Sequence, residues 1–95
     1  MDQAAKILFV DDEAQMLSAL VRVFRGQDFE VTTANSGKEG LTLIDDHHFD
    51  VIISDMRMPE MDGATFLAAS CDKSPNSRRI LLTGYSDQES TIRAI

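Results

Sequence analysis

Short apolar segments alternate along this chain with segments whose apolar residues recur at helical spacing. Three of the apolar segments end in polar residues: KILFV runs into Asp11 and Asp12, FDVIIS into Asp55, and RRILL into Thr83. Runs of β-branched and aliphatic residues are typical of strands that are buried on both faces of a parallel sheet. Residues 29–33 alternate between apolar and polar types, so they predict one more strand.

Helices are predicted between these strands. The first would present one apolar face, which is made of Leu17, Leu20, Val21 and Phe24. Gly26 follows this segment and favours a helix stop. Ser36 and Glu39 form a capping-box pattern, which predicts that the second helix begins there.

The last third of the chain predicts a loop, a short helix and the start of another helix. Pro59 and Gly63 mark the loop, and the short helix is expected around residues 65–69. After the RRILL strand, Ser86 and Glu89 form a second capping-box pattern. A further helix is therefore expected to begin near residue 87.

The alternation of strands and helices predicts an α/β fold, a doubly wound parallel sheet with helices on both faces. In such sheets, polar groups at the carboxyl ends of neighbouring strands share one crevice. Asp11, Asp12 and Asp55 would then lie together, although each of them alone has an ordinary explanation as a helix cap or a strand end. Crowded carboxylates repel one another unless a divalent cation neutralises them. We therefore expect a Mg²⁺ pocket with one aspartate free to react.

Composition indicates which classes of partner and which cellular setting to expect. The 95 residues suffice for one domain, and sixteen acidic residues against nine basic ones give a net charge of −7, which argues against direct nucleic-acid binding. Cys71 is the single cysteine, and no apolar span suggests export or a membrane. We expect a reducing, cytoplasmic setting. His47 and His48 have no third ligand at metal-binding spacing, so we assign them no role.

Three segments resemble the receiver domain of two-component response regulators, the family typified by the chemotaxis response regulator. They are ILFVDDE at residues 7–13, DVIISDMRMPEMDG at 50–63 and ILLTGYSD at 80–87. The middle segment is the most specific, because it places a buried strand, an aspartate, M-P and D-G at fixed offsets. The resemblance implies a flavodoxin-like fold with parallel strands in the order 2-1-3-4-5 and a site between the first and third strands.

The resemblance also implies roles for individual residues. Asp55 would be the phosphoacceptor and a Mg²⁺ ligand, Asp12 a direct Mg²⁺ ligand, and Asp11 a ligand acting mainly through water. The backbone carbonyl of Arg57 would be a further ligand, and the Thr83 hydroxyl would donate a hydrogen bond to a phosphoryl oxygen. The phosphoryl group would come from a sensor histidine kinase or a phosphotransfer protein. An output domain or downstream partner would read the change.

The sequence departs from the family near its end. A receiver normally has a fifth strand that carries a lysine, and then a fifth helix, and neither is recognisable before Ile95. We therefore expect a receiver truncated at the C-terminus over residues 1–95, with strand order 2-1-3-4. Its fourth strand would expose an apolar edge at Ile80, Leu81 and Leu82, so a homodimer that forms by strand addition or exchange is expected.

Two other functions remain open. Truncation could leave a docking or dimerisation module without phosphate chemistry. A Mg²⁺-dependent phosphohydrolase would need a second aspartate two residues after the nucleophile, where this chain has Arg57, so we do not expect a metabolic enzyme. In receivers, the residues two beyond the phosphoacceptor and two beyond the threonine, here Arg57 and Tyr85, influence the lifetime of the acyl phosphate. Both could equally be solvated rim residues.

Overall fold

The computed structural model describes residues 4–82 together with the backbone of residues 92–94. Strands and helices alternate along the chain, as the hydrophobic pattern predicts. The elements, in chain order, are β1 Ala5–Val10, α1 Ala14–Phe24, β2 Phe29–Ala34, α2 Gly37–Asp46, β3 Val51–Asp55, α3 Gly63–Lys73, β4 Arg78–Leu82 and β5 Ile92–Ala94.

The strands form one sheet in the order β2-β1-β3-β4-β5. β1 pairs in parallel with β2 and β3, and β3 pairs in parallel with β4. The predicted doubly wound parallel sheet with strand order 2-1-3-4 is therefore confirmed. Parallel neighbours need a crossover connection, and α1, α2 and α3 provide the three crossovers.

The edge of β4 differs from the prediction. β5 lies antiparallel to β4, with Leu82 opposite Ile92 and Ile80 opposite Ala94. The expectation of an unpaired β4 edge is therefore wrong, because the backbone groups along this edge bond to a strand of the same chain. This strand is also not the parallel fifth strand that the resemblance implies. Strand addition between two copies was expected because the β4 edge would be unpaired, and this reason no longer holds. A homodimer stays a prediction.

The helix expected near residue 87 is also corrected in part. Residues 92–94 form a strand, whereas the predicted helix would have included them. The capping-box pattern at Ser86 and Glu89 lies outside the described residues. Local side-chain patterns compete with tertiary pairing, and the free edge of β4 offers backbone partners that a helix would leave unused.

The capping box at Ser36 and Glu39 is a confirmed prediction. The N–H of Glu39 donates to Ser36 Oγ at 3.1 Å, so Ser36 caps α2. The Glu39 carboxylate accepts in return from the N–H of Asn35 at 2.8 Å, one residue before the cap. Gly26, with φ of 83°, follows the end of α1 as the stop signal predicts. The sequence therefore sets both of these helix boundaries.

α3 is longer than predicted. Asp62 caps it, because its side chain accepts from the N–H of Thr65 at 2.8 Å. The helix continues for 11 residues, well past the predicted end at residue 69. Its last turn carries Lys73, whose ammonium bonds to Asp45 of α2 at 2.7 Å. The segment has few large apolar residues, which explains why periodicity alone marks only its first part.

The helices cover the sheet on both faces. One core cluster packs α2 and α3 against the sheet, and its members are Leu8, Val10, Ala34, Ile44, Phe49, Ile52, Phe66, Leu67 and Leu81. A smaller cluster packs α1 against the other face around Ile7, Phe9 and Leu17. Alternate residues of β1 thus point into different clusters, as the pleat of a strand requires.

Among the described residues, no helix has the length and apolar character needed to cross a membrane.

Candidate functional site

Two strand ends bring the predicted acidic residues together. β1 and β3 are parallel neighbours, and Val10 pairs in register with Ser54. Asp11 therefore follows β1 beside Asp55, which is the last residue of β3. Carboxylate oxygens of Asp11, Asp12 and Asp55 all lie within 4.8 Å of one another. The structure thus places all three at one point of the sheet's carboxyl edge.

Local hydrogen bonds fix the chain around Asp11. Its N–H donates to the carbonyl of Ala34 at 3.1 Å, which joins the ends of β1 and β2. Its Oδ1 accepts from the N–H of Glu13 at 2.9 Å, an Asx-type turn immediately before α1. Asp11 is buried and Asp12 is exposed. One carboxylate is thus held in place, and the next is open to solvent.

The loop after β3 orients Asp55, which is half-buried. The N–H of Met56 donates to the carbonyl of Leu82 at 3.1 Å, and the N–H of Gly63 donates to the carbonyl of Met56 at 2.8 Å. The backbone N–H groups of Arg57 and Met56 lie near the Asp55 carboxylate and favour its charged form. Backbone groups of its own loop therefore form part of the surroundings of this side chain.

The pKa of Asp11 is raised above its ordinary value. Burial is the largest cause, because it disfavours the charged carboxylate. The N–H of Glu13 opposes this effect, and the negative charges of Asp55, Asp12 and Glu13 add to it. The carboxylates of the cluster therefore repel one another, as the sequence predicts.

The pKa of Asp55 is raised for the same kinds of reason. Burial comes first and the charge of Asp12 second, while the N–H groups of Arg57 and Met56 act in the opposite direction. Glu13 adds a smaller unfavourable charge. A positive charge placed among these groups would stabilise their ionised forms. Asp55 would then be kept as an anion, which is the form that can attack an electrophile.

These residues fit a divalent cation. Mg²⁺ prefers oxygen ligands in octahedral geometry and keeps several waters, so a few carboxylates around one point suit it. The N–H of Arg57 favours the charged form of the Asp55 carboxylate. Ligation by the Arg57 carbonyl stays a prediction. The Mg²⁺ roles of Asp11, Asp12 and Asp55 also stay predictions, and the proximity of their carboxylates is consistent with them.

Some residues of the site escape the sequence analysis, and others cannot be placed. Thr83 and Tyr85 lie outside the described residues, so their predicted roles are not located. Glu13 adds charge to the cluster, and its position directly after two aspartates is a signal that could have been used. Ser54 and Gly63 contact the backbone of Asp55. A serine inside an apolar run was the available signal for Ser54.

Comparison with known sequences relates this chain to one family of signalling domains and to its full-length members. Residues 7–95 match a family described as the response regulator receiver domain. The regulatory protein AtoC of Escherichia coli (strain K12) is 39% identical over 90 residues, which cover 95% of this chain and 20% of AtoC. The chain thus spans about a fifth of the length of that curated relative.

Solved structures agree with the sequence comparison. A protein described as adenylate cyclase from Rhodopirellula baltica has a TM-score of 0.83 and 42% identity, over 90% of this chain and 63% of that chain. A response regulator protein from Burkholderia pseudomallei, solved with a phosphorylated aspartic acid, a calcium ion and citrate, has a TM-score of 0.79 and 28% identity. The match covers 85% of this chain and 48% of that one.

Proposed function

Because this chain belongs to the response regulator receiver domain family, we propose that it is a phosphoaccepting module whose Asp55 receives a phosphoryl group from a histidine kinase or a phosphotransfer protein. The main support is the group of three carboxylates within 4.8 Å at the ends of β1 and β3. The phosphorylated aspartate and bound calcium of the Burkholderia regulator add support, because that protein shares the fold and 28% of aligned residues.

The proposed reaction is a direct displacement at phosphorus. A carboxylate oxygen of Asp55 forms the new P–O bond, and the bond from phosphorus to the donor nitrogen breaks. The donor imidazole, protonated on its other ring nitrogen, keeps the electron pair and leaves as neutral imidazole. The N–H groups of Arg57 and Met56 favour the charged form of the Asp55 carboxylate, which is the form that attacks. The product is an acyl phosphate on β3, which places new negative charge at the edge of the sheet.

Mg²⁺ is the proposed cofactor. Asp12 and Asp55 would bind it directly, Asp11 mainly through water, and Arg57 through its backbone carbonyl. When bound, Mg²⁺ offsets the repulsion between the carboxylates and the anionic phosphodonor. The buried Asp11, fixed by the N–H of Glu13 at 2.9 Å, offers a preformed oxygen ligand.

The readout of the modification is also a proposal. The Thr83 hydroxyl would donate to a phosphoryl oxygen, and Arg57 and Tyr85 would influence the lifetime of the acyl phosphate. An output domain or downstream partner would recognise the changed surface. The chain spans about a fifth of AtoC, so the output of any longer protein is not defined by these residues. A cytoplasmic location and the absence of direct nucleic-acid binding stay predictions.

A metabolic enzyme is not the function we propose. The name adenylate cyclase belongs to the Rhodopirellula protein, and the match covers 63% of that chain. In this chain Arg57 takes the place of the second aspartate of an aspartate-based phosphohydrolase. The remaining alternative is a docking module with no phosphate chemistry, formed by residues 1–95 as one receiver unit. The acidic cluster favours the phosphoaccepting module over this alternative.

The experiment that separates the two functions is a measurement of intact mass. The chain is incubated with Mg²⁺ and acetyl phosphate, and a mass gain of one phosphoryl group is expected. Asp55→Asn should lose this gain, whereas Asp72→Asn should keep it, because Asp72 is an exposed aspartate in α3. No gain in the wild-type chain would favour the docking module.

A further inference from the structure

Ser54 is a polar residue in an apolar position of β3. It is fully buried, with 0% of its surface exposed, on the face that packs against α2 and α3. Its neighbours on this face are Ile52 in the same strand and Leu81 across the ladder, and both belong to the larger core cluster. A β-branched apolar residue would pack well at such a position, and burial of a hydroxyl costs free energy unless it is hydrogen-bonded.

The hydroxyl of Ser54 has a specific partner in the site. Its Oγ donates to the backbone carbonyl oxygen of Asp55 at 2.9 Å. This carbonyl and the N–H of Met56 belong to the same peptide unit. Because the peptide unit is planar, an orientation imposed on the carbonyl is also imposed on the N–H. That N–H donates to the Leu82 carbonyl at 3.1 Å, which ties the peptide to the end of β4.

Gly63 constrains the same carbonyl from another direction. A Cβ at position 63 would lie 2.1 Å from the Asp55 carbonyl oxygen and 2.8 Å from Leu81 Cδ1. The first turn of α3 therefore packs directly against the peptide unit that follows Asp55. The carbonyl has the Ser54 hydroxyl as donor and the glycine backbone as close neighbour. Little freedom is left for this peptide to rotate.

We propose that Ser54 is a positioning residue for the reaction of Asp55. Its hydroxyl fixes the Asp55–Met56 peptide, and this peptide is bonded to the Cα of Asp55, from which the reacting carboxylate extends. The role rests on the proposed function, since it concerns the rate at which Asp55 accepts a phosphoryl group. Ser54 contacts neither the phosphodonor nor the proposed metal ligand atoms, so its effect passes through the backbone of its neighbour.

Ser70 provides a matched control within the same chain. It is also fully buried, and its Oγ donates to a backbone carbonyl, that of Leu67, at 2.7 Å. Ser70 lies in α3, away from the acidic cluster. Ser54→Ala and Ser70→Ala each remove one buried hydroxyl and leave one carbonyl without that donor. If the hydroxyl matters only for general stability, both variants should accept the phosphoryl group more slowly. If it positions Asp55, only Ser54→Ala should be slower.

The test compares phosphorylation rates and the backbone amide signal of Met56. With saturating Mg²⁺ and acetyl phosphate, well below the unfolding temperature, Ser54→Ala should react roughly tenfold more slowly than wild type. Ser70→Ala should react at the wild-type rate. Ser54→Cys keeps a weak donor of similar shape and should give an intermediate rate. The Met56 amide resonance in ¹⁵N–¹H spectra should shift in Ser54→Ala and stay in place in Ser70→Ala.

The outcomes separate this role from the proposed function. A wild-type chain that accepts no phosphoryl group would overturn the phosphoaccepting function, while the Met56 resonance would still report on the orientation of the peptide. If Ser54→Ala accepts the phosphoryl group as fast as the wild type, the positioning role is overturned and the phosphoaccepting function stays in place. Equal slowing in Ser54→Ala and Ser70→Ala would also overturn it, because the effect would then be one of general stability.

Discussion

Gly63 lies so close to Asp55 that a Cβ at position 63 would come within 2.1 Å of the Asp55 carbonyl oxygen. We expect Gly63→Ala to lower the free energy of unfolding by about 2–3 kcal/mol, because backbone atoms cannot move away as a flexible side chain can. The rate of Asp55 phosphorylation should fall as well. Urea denaturation measures the first effect, and intact mass over time measures the second.

Gly26→Ala is the control for this substitution. Gly26 has φ of 83°, but a Cβ there would have nothing within 4 Å. The expected cost is about 1–2 kcal/mol from the left-handed backbone alone, with no change in phosphorylation. If Gly63→Ala proved no more costly than Gly26→Ala and reacted normally, the contact with Asp55 would have no consequence for the site.

Glu60 holds a strained turn in the loop that follows Asp55. Its φ is +72°, and the N–H of Met61 donates to the carbonyl of Pro59 at 2.7 Å, which closes a three-residue turn. Glu60→Gly should raise the free energy of unfolding by about 0.5–1 kcal/mol, since glycine adopts this backbone without strain. A shift of the denaturation midpoint to higher urea is the expected result, and a shift to lower urea would contradict this account of the turn.

The acidic site should make stability depend on pH in the absence of Mg²⁺. The pKa values of Asp11 and Asp55 are raised from 3.8, mainly by burial and in part by neighbouring negative charges. A carboxyl whose pKa rises on folding stabilises the fold fully below the pKa of the unfolded chain, and this contribution is lost as pH rises through the folded-state pKa. The contribution of these two residues should therefore fall as pH rises above about 4.

Carboxyls whose pKa is lowered on folding change the pH dependence of stability in the opposite direction. The effect of Asp55 is therefore measured by comparing a variant with the wild type. The pKa of Asp50 is lowered, mainly by the N–H of Lys6, and that of Asp62 by the N–H of Thr65. Asp55→Asn should stabilise the Mg²⁺-free protein at neutral pH by about 1 kcal/mol, allowing for solvent screening. At pH 3 the difference from wild type should vanish. Urea denaturation at several pH values, with a chelator present, measures this difference. An Asp55→Asn variant that is less stable than the wild type at pH 7 would contradict the prediction.

Mg²⁺ should reverse the effect of the crowded charges. A ligand that binds the folded state alone stabilises it by about 2.7 kcal/mol at a concentration one hundred times its Kd. Thermal unfolding of the wild type should therefore shift upward with added MgCl₂. Asp11→Asn should show a much smaller shift, because it loses a buried carboxylate of the cluster. Asp72→Asn should shift like wild type, and an unchanged shift in Asp11→Asn would remove that residue from the metal site.

The approximate position of the site could be predicted from the sequence because it depends on topology. Two apolar runs that end in aspartates become parallel neighbours, so the polar ends of both strands meet at the same sheet edge. The capping box at Ser36 and Glu39 is similarly local, and each partner lies within one helical turn. Strand order and short stretches of chain determine these features, so the sequence predicts them.

Other features depend on contacts that no local pattern encodes. The pairing of β5 with β4 joins residues that are 10 to 14 positions apart through backbone groups, and the type of side chain at Ile92 does not predict it. The positive φ of Glu60 is imposed by its loop, since glutamate does not favour that conformation. The hydrogen bond of Ser54 concerns a carbonyl oxygen, which every residue has. Such contacts become visible only when the chain is folded.

The most direct test of the phosphoaccepting function is to locate the phosphoryl group on the chain. The wild-type protein is treated with acetyl phosphate in MgCl₂ or in a chelator, and tandem mass spectrometry identifies the modified residue. We expect one phosphoryl group on Asp55 in MgCl₂ and almost none in the chelator. Modification of another residue, or equal modification of Asp55 in both buffers, would contradict the proposed Mg²⁺-dependent reaction of Asp55.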